Sequence, residues 1–258
     1  MRLDDFVLIH ERFQRHVYEV GVVDAGTKNL RTSYDASLGT AFAVSNEGHF
    51  LTAFHVLKRE HEGIKAGERI LGLKGIHGYG VPSEPAFGVD LVEAYANSDI
   101  ALLKSRQHRS GHIPTAATLA KPGAWVATLG YPLPYFDEEK GKQMLDKRIV
   151  SAMISAAFVK DGVRFVELDK YLSSGHSGGP IITLAGKAIA LAISYRKGWH
   201  AVLERQLREG KVVDERRVLE LPVQFAQATM LQNVASRLRR QGVPVQMPPT
   251  RIGEPSDP

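Results

Sequence analysis

The sequence predicts an all-β fold, a barrel or sandwich, and three observations carry that prediction. Short β-rich runs recur between Gly, Pro, Asn and Asp punctuation, helical spacing is confined to the two ends, and cysteine is absent from all 258 residues. Without cysteine there is no disulfide framework, no thiolate nucleophile and no cysteine-held metal, so packing holds the fold. With 43% hydrophobic and 24% charged residues the composition is close to the globular average, which excludes collagen-like, coiled-coil and wholly disordered chains. The length accommodates one large or two small domains with a real core.

In chain order, residues 3–16 space Leu3, Phe6, Val7 and Phe13 as a short helix that leads into a strand near 17–23. Strands follow at 40–44, 50–53, 100–103, 125–129, 149–154, 164–168, 181–183 and 188–194. The stretch 112–123, with Pro114 and Pro122, marks a join between two β halves, which gives an N-terminal unit over 1–118 and a C-terminal unit over 119–242. Pro222 can start a closing helix that carries Phe225, Ala228, Met230, Leu231, Val234 and Leu238 inward and stops at Gly242. Residues 243–258, rich in Pro and poor in aromatics, read as a disordered tail.

The formal charge of +5 is small for this length. Arg237, Arg239, Arg240 and Arg251 gather near the C-terminus, where cations favourably face the negative pole of a helix. No aromatic-interleaved basic motif accompanies them, so no nucleic-acid partner is expected. The opening MRLDDFVLIHERFQRH breaks its short apolar run with charges, unlike a signal peptide, and no stretch approaches the roughly 20 apolar residues of a membrane helix. The expectation is a cytoplasmic protein without membrane contact. His10, His16, His61, His77, His108 and His112 are scattered without ligand spacing, so no metal is expected.

The chemistry concentrates in Gly175-His176-Ser177-Gly178-Gly179-Pro180, just before the apolar run Ile181–Leu184. A nucleophilic Ser must expose its hydroxyl while backbone N–H groups converge on the developing oxyanion, and flanking glycines permit that tight path. Gly175 and Ser177 are placed to supply the N–H groups. Upstream, His55 follows the strand-like Phe50–Ala53, and Asp99 opens the run Ile100–Leu103. Each feature alone is commonplace as a turn, a core histidine or a turn cap; the coincidence of all three is not.

These segments resemble the chymotrypsin-like (trypsin-like) serine peptidases, within them the HtrA/Deg-type bacterial branch. The matching stretches are GTAFAVSNEGHFLTAFHVL, SDIALLK, WVATLGYP, RIVSAMIS, GHSGGPIITLAGKAIALAIS and LELPVQFAQATML. The resemblance spans most of residues 17–240 in the order His, Asp, Ser. It implies two packed six-stranded antiparallel β-barrels with the cleft between them. It also implies Ser177 as nucleophile, His55 as general base and then acid, Asp99 as the residue orienting the imidazole, and an oxyanion hole from the N–H groups of Gly175 and Ser177, with no cofactor. The activity implied is endopeptidase hydrolysis of protein or peptide substrates through an acyl-enzyme. The other reading is a catalytically silent or latent binding module that needs a partner.

The sequence departs from the family in three places. His176 precedes the nucleophile where Asp or Asn is usual, which rules against zymogen activation by a new N-terminus. Tyr171, six residues before Ser177, offers no acid at the base of the primary pocket, and Ser194-Tyr195-Arg196 resembles the pocket wall with Arg in place of a permissive Gly. Small or medium apolar residues, or an acid near Arg196, are the expected preferences, and tryptic cleavage is not. The stretch after Leu221 leaves no room for a PDZ module, so regulation is expected from the N-terminal segment, oligomer contacts or a separate protein partner.

Overall fold

A computed structural model describes residues 4–26, 36–77, 81–82, 85–105, 111–131, 135–137, 142–144, 147–208 and 211–248; along 194–208 and 211–225 it describes the backbone. After helix α1 (Asp4–Phe13), the first half contains β1 (Val17–Asp24), β2 (Ala36–Ala43), β3 (His49–Ala53), β4 (Arg69–Lys74), β5 (Asp90–Tyr95) and β6 (Ile100–Lys104), with helices α2 (Phe54–Lys58) and α3 (His61–Ala66) after β3. These strands pair antiparallel in the order β4-β1-β2-β3-β6-β5. The second half contains β7 (Trp125–Gly130), β8 (Arg148–Lys160), β9 (Val163–Leu168), β10 (Pro180–Thr183), β11 (Ala188–Arg208) and β12 (Lys211–Met230).

The expected pair of six-stranded units is present, and the two differ in closure. In the second, β10-β7-β8-β9-β12-β11 returns to β10 through Pro180↔Leu191 and Ile181↔Ala190, a closed six-stranded barrel. The first stays a half-barrel in its pairing: Phe87–Gly88 pairs with β4 and the chain runs on into β5, so covalent chain spans the gap between β4 and β5. Closing a sheet leaves no unpaired edge, so the second barrel is the better protected of the two.

One apolar core fills the first barrel and continues under the second. Tyr18, Phe50 and Phe87 meet edge-on or tilted, with Tyr18 and Phe50 centroids 5.4 Å apart at 89°. Leu51, Leu73, Leu102 and Leu103 surround them, and Leu129, Tyr131, Ile182 and Leu191 of the second half join the same cluster. A separate cluster of Val126, Ala152, Ile154, Val166, Leu168, Ile181 and Met230 fills the closed barrel. Helix α1 bridges the halves: Ile9 and Phe13 are buried, Phe6 packs edge-on against Trp125, and a Cβ on Gly186 would come within 3.3 Å of Phe13.

Two expectations for the C-terminal region are corrected. Residues 222–230 form strand, not helix, and α4 is confined to Ala235–Arg240. Ala226, Ala228 and Met230 are buried at period two, a spacing that the apolar pattern of 225–231 shares with a helix, and the vacancy between β9 and β11 decides for strand. The chain also stays packed past Gly242. Val243 and Val245 are buried, and Val245–Gln246 pairs in parallel with Thr115–Ala116 from the join between the halves. Residues 249–258 of the expected tail lie outside the described residues. Arg237, Arg239 and Arg240 sit in the last turn of α4 as expected.

Phe50→Ala tests the shared core: truncating a fully buried aromatic costs about 3–5 kcal/mol of unfolding free energy. Equilibrium denaturation of the variant checks this, and a loss under about 1 kcal/mol would contradict the packing described.

Candidate active site

His55 is the second residue of α2, at the end of β3, and two sites on one carboxylate hold it. Asp99 Oδ1 accepts the His55 backbone N–H at 2.7 Å, and Asp99 Oδ2 lies 2.6 Å from His55 Nδ1. Asp99 reaches both because it follows a 3-10 turn at Ala96–Ser98 and adopts a left-handed backbone, φ 52°, which Asp tolerates better than most residues. Its carbonyl also accepts the Phe54 N–H at 3.1 Å. With Nδ1 engaged, the imidazole has its orientation set and Nε2 is the ring nitrogen left for chemistry. Both side chains remain partly exposed, 40% for His55 and 26% for Asp99, and so are open to the cleft.

Ser177 enters the same cleft from the second barrel. The cleft, about 410 Å³, is lined by His55, Asp99, Leu172, Ser173, Ser174, His176, Ser177, Ala192 and Ile193. Ser177 Oγ donates a long bond, 3.4 Å, to Ile193 O. Around it, the His176 N–H donates to Ser173 O at 3.2 Å and Gly175 has φ 96°, which together make a type II turn with glycine at its third position. The N–H of Gly178 goes to Ala192 O and that of Gly179 to His176 O. Among the described residues the N–H groups of Gly175 and Ser177 have no such acceptor.

Thr40, on β2, connects this loop to the first barrel. Its N–H donates to Ser177 O at 2.9 Å, its Oγ1 donates to Gly175 O at 2.6 Å and accepts from the Tyr131 N–H at 2.9 Å, and its carbonyl accepts from Thr52 Oγ1 at 2.7 Å. The approach is close enough that a Cβ on Gly178, already at φ 87°, would lie 2.0 Å from Thr40 O. Sequence reasoning missed Thr40, Tyr131 and the cleft wall of Leu172, Ala192 and Ile193. Thr40 lay within GTAFAV, yet nothing in a strand's sequence marks which hydroxyl reaches across to another barrel.

His176, beside Ser177, is buried, 2% exposed, and packs against Gly130, where a Cβ would lie 2.8 Å from its ring. Its Nδ1 is 3.2 Å from both Ser173 O and Ser173 Oγ, while Nε2 has no partner among the described residues. Burial lowers its pKa, the bond to Ser173 O opposes that, and the charge of Arg148 lowers it further. The pocket residues expected from sequence fare unevenly. Tyr171 is half exposed and does not line the cleft, where Leu172 stands instead. The side chains of Ser194, Tyr195 and Arg196 lie outside the described residues. Among the described residues no group of three or more His, Asp or Glu could hold a metal, and no helix is long and apolar enough to cross a membrane.

Comparison with known proteins agrees with this geometry. A family model described as a trypsin-like peptidase domain matches residues 39–191, more than half of the chain. The chain belongs to the trypsin-like peptidase family. Its barrels superpose on the Rv3671c protease of M. tuberculosis in its active form, TM-score 0.58 and 18% identity over 92% of this chain and 86% of that one. They also superpose on Deg5, TM-score 0.55 and 15% identity over 74% and 85%. Among curated sequences, the trypsin-like domain is 32% identical over 164 residues to a protein of Halomonas elongata, and 27% identical over 188 residues to one of Pseudomonas fulva. Both are named "Probable periplasmic serine endoprotease DegP-like". The alignments cover 60% and 71% of this chain but 29% and 34% of those proteins, so the chain spans about a third of their length. These names overturn the expected cytoplasmic location. An export leader is cleaved from the mature protein, so the composition of a folded domain carries no mark of its compartment.

Thr40→Val removes the hydroxyl at nearly constant volume and leaves Gly175 O and the Tyr131 N–H without their partner. A loss of about 1–3 kcal/mol in unfolding free energy is expected, with a slower reaction of Ser177 toward an active-site probe. For His176 the folded pKa lies below the unfolded value of about 6.5, so the unfolded chain protonates first; stability is whole above that value and falls as pH drops through the folded pKa. His49 and His112 shift in the same direction through burial. Denaturant melts at about pH 8 and pH 5 should show this loss, and His176→Gln should narrow the difference.

Proposed function

We propose that the chain is a serine endopeptidase that cleaves protein substrates through an acyl-enzyme. The observation that carries this reading is the double hold of Asp99 on His55 in the cleft that also presents Ser177. A Ser hydroxyl is a weak nucleophile at neutral pH, so a base must take its proton as it attacks. His55 Nε2 takes that proton when Ser177 Oγ exchanges its long bond to Ile193 O for one to the imidazole. Asp99 stabilises the imidazolium that forms, and His55 then returns the proton to the leaving amine. Water deacylates the enzyme by the reverse proton path.

The N–H groups of Gly175 and Ser177 are assigned to the oxyanion. The type II turn at 173–176 supports this, since its neighbouring amides are committed to Ser173, His176 and Ala192 while these two are not. Each such donor is worth roughly 3–4 kcal/mol in the transition state. The apolar walls Leu172, Ala192 and Ile193 favour a small or medium apolar side chain next to the cut bond. The named location of the curated relatives supports a periplasmic setting.

The test is labelling of the purified protein by a fluorophosphonate, with Ser177→Ala as control, followed by cleavage-site profiling on a denatured proteome. Labelling of the parent and none of the variant is expected, with turnover abolished and stability changed by under about 1 kcal/mol. Equal labelling of both proteins would remove Ser177 as nucleophile, and dominant cleavage after Lys would refute the apolar pocket.

A further inference from the structure

Strands β11 and β12 are far longer than the barrel that they close. On β11 the pairing with β10 ends at Leu191, and on β12 the pairing with β9 ends at Ala226. Beyond these points the two strands pair only with each other among the described residues. Eleven consecutive pairs, from Gly198↔Leu221 to Arg208↔Lys211, form a two-stranded ribbon. At about 3.3 Å per residue this arm is about 35 Å long.

The arm starts at the active site. Ile193, which receives the Ser177 hydroxyl and lines the cleft, lies two residues past the last pairing of β11 with β10. From there, among the described residues, the outer edge of β11 runs without a neighbouring strand to Arg208. Register shifts at Ala192/Ser194 and Lys197/Gly198 interrupt the ladder, and the second leaves Pro222 and Val223 outside it, where a residue lacking an N–H costs no ladder bond. Bulges strengthen local twist and re-aim a ribbon, so these two set the direction in which the edge leaves the cleft.

A long free strand edge is a row of unpaired N–H and C=O groups and a template for another extended chain. A peptidase substrate must be extended as it passes the nucleophile, so the chain that occupies the cleft is already in the conformation that this edge accepts. We propose that the outer edge of β11 along the projecting arm, residues 198–208, is an exosite that takes an unfolded stretch of substrate by strand addition, extending past the residues bound beside Ser177. Main-chain pairing supplies the affinity and is tolerant of sequence, which selects for long unfolded polypeptide over short or folded substrates. This rests on the endopeptidase reading of the same cleft.

The test compares kcat/KM for peptides that share one cut site and carry either no extension or ten further residues on its N-terminal or C-terminal side. In the full chain an extension on one side should raise kcat/KM by about tenfold or more, since it adds several main-chain hydrogen bonds. Proline at alternate positions of that extension should abolish the gain, because it removes the donors. In a variant whose residues 198–221 are replaced by an Asn-Gly turn, the extension should confer nothing, while the unextended peptide is cut as before. No gain from either extension in the full chain, a gain that survives proline, or a gain that survives loss of the arm would each overturn the exosite. Fluorophosphonate labelling of Ser177 reports separately on the catalytic reading, so a labelled enzyme indifferent to extension refutes the exosite alone.

Discussion

The junction that Thr40 makes between the two barrels is the constraint on which the site depends. One residue of β2 spends its N–H, its hydroxyl and its carbonyl on the loop that carries Ser177, on Tyr131 and on Thr52. Thr40 is fully buried, so its polar groups would be left unsatisfied away from water if the barrels shifted apart. Tyr131 extends the junction by donating its hydroxyl to Val17 O at 2.9 Å. The cleft is thus a seam in one continuous core, and the loop that carries Ser177 is positioned by the barrel that carries His55.

The same economy governs the other half of the site. Asp99 holds His55 through the backbone and the ring together, so the rotation of the imidazole is coupled to the position of α2. That coupling requires a left-handed residue at the strand entrance, and Asp is among the few that adopt it while offering a carboxylate. On the Ser177 side, burial lowers the pKa of His176, which disfavours a positive charge there.

Most strand positions were legible because the chain punctuates them with Gly, Pro and Asp, and because β1, β3 and β6 are mostly apolar; β4 and β5 were not among them. His55, Asp99 and Ser177 were legible because each lies in a short stretch whose residue types the chemistry demands, and the structure brings them to one cleft. Elements whose state depends on a distant partner were not. Residues 222–230 satisfy helical and strand periodicity alike, and only the open place beside β9 separates the two. Val243 and Val245 look like tail because their partner, Thr115–Ala116, lies far back in the chain. Tyr171 was placed by counting back from Ser177, and the loop path turns Leu172 into the cleft instead.

By itself the sequence determined the all-β class, the absence of disulfides and which residues are the candidates for chemistry, since these follow from residue types and short-range spacing. Tertiary structure alone decided which barrel closes, which hydroxyl clamps the loop, that Val243 and Val245 stay packed and how far β11 and β12 project. Each of those is a pairing between groups distant along the chain. A strand's hydrogen-bonding capacity is the same in every sequence, so its partner is chosen by the geometry of the whole molecule.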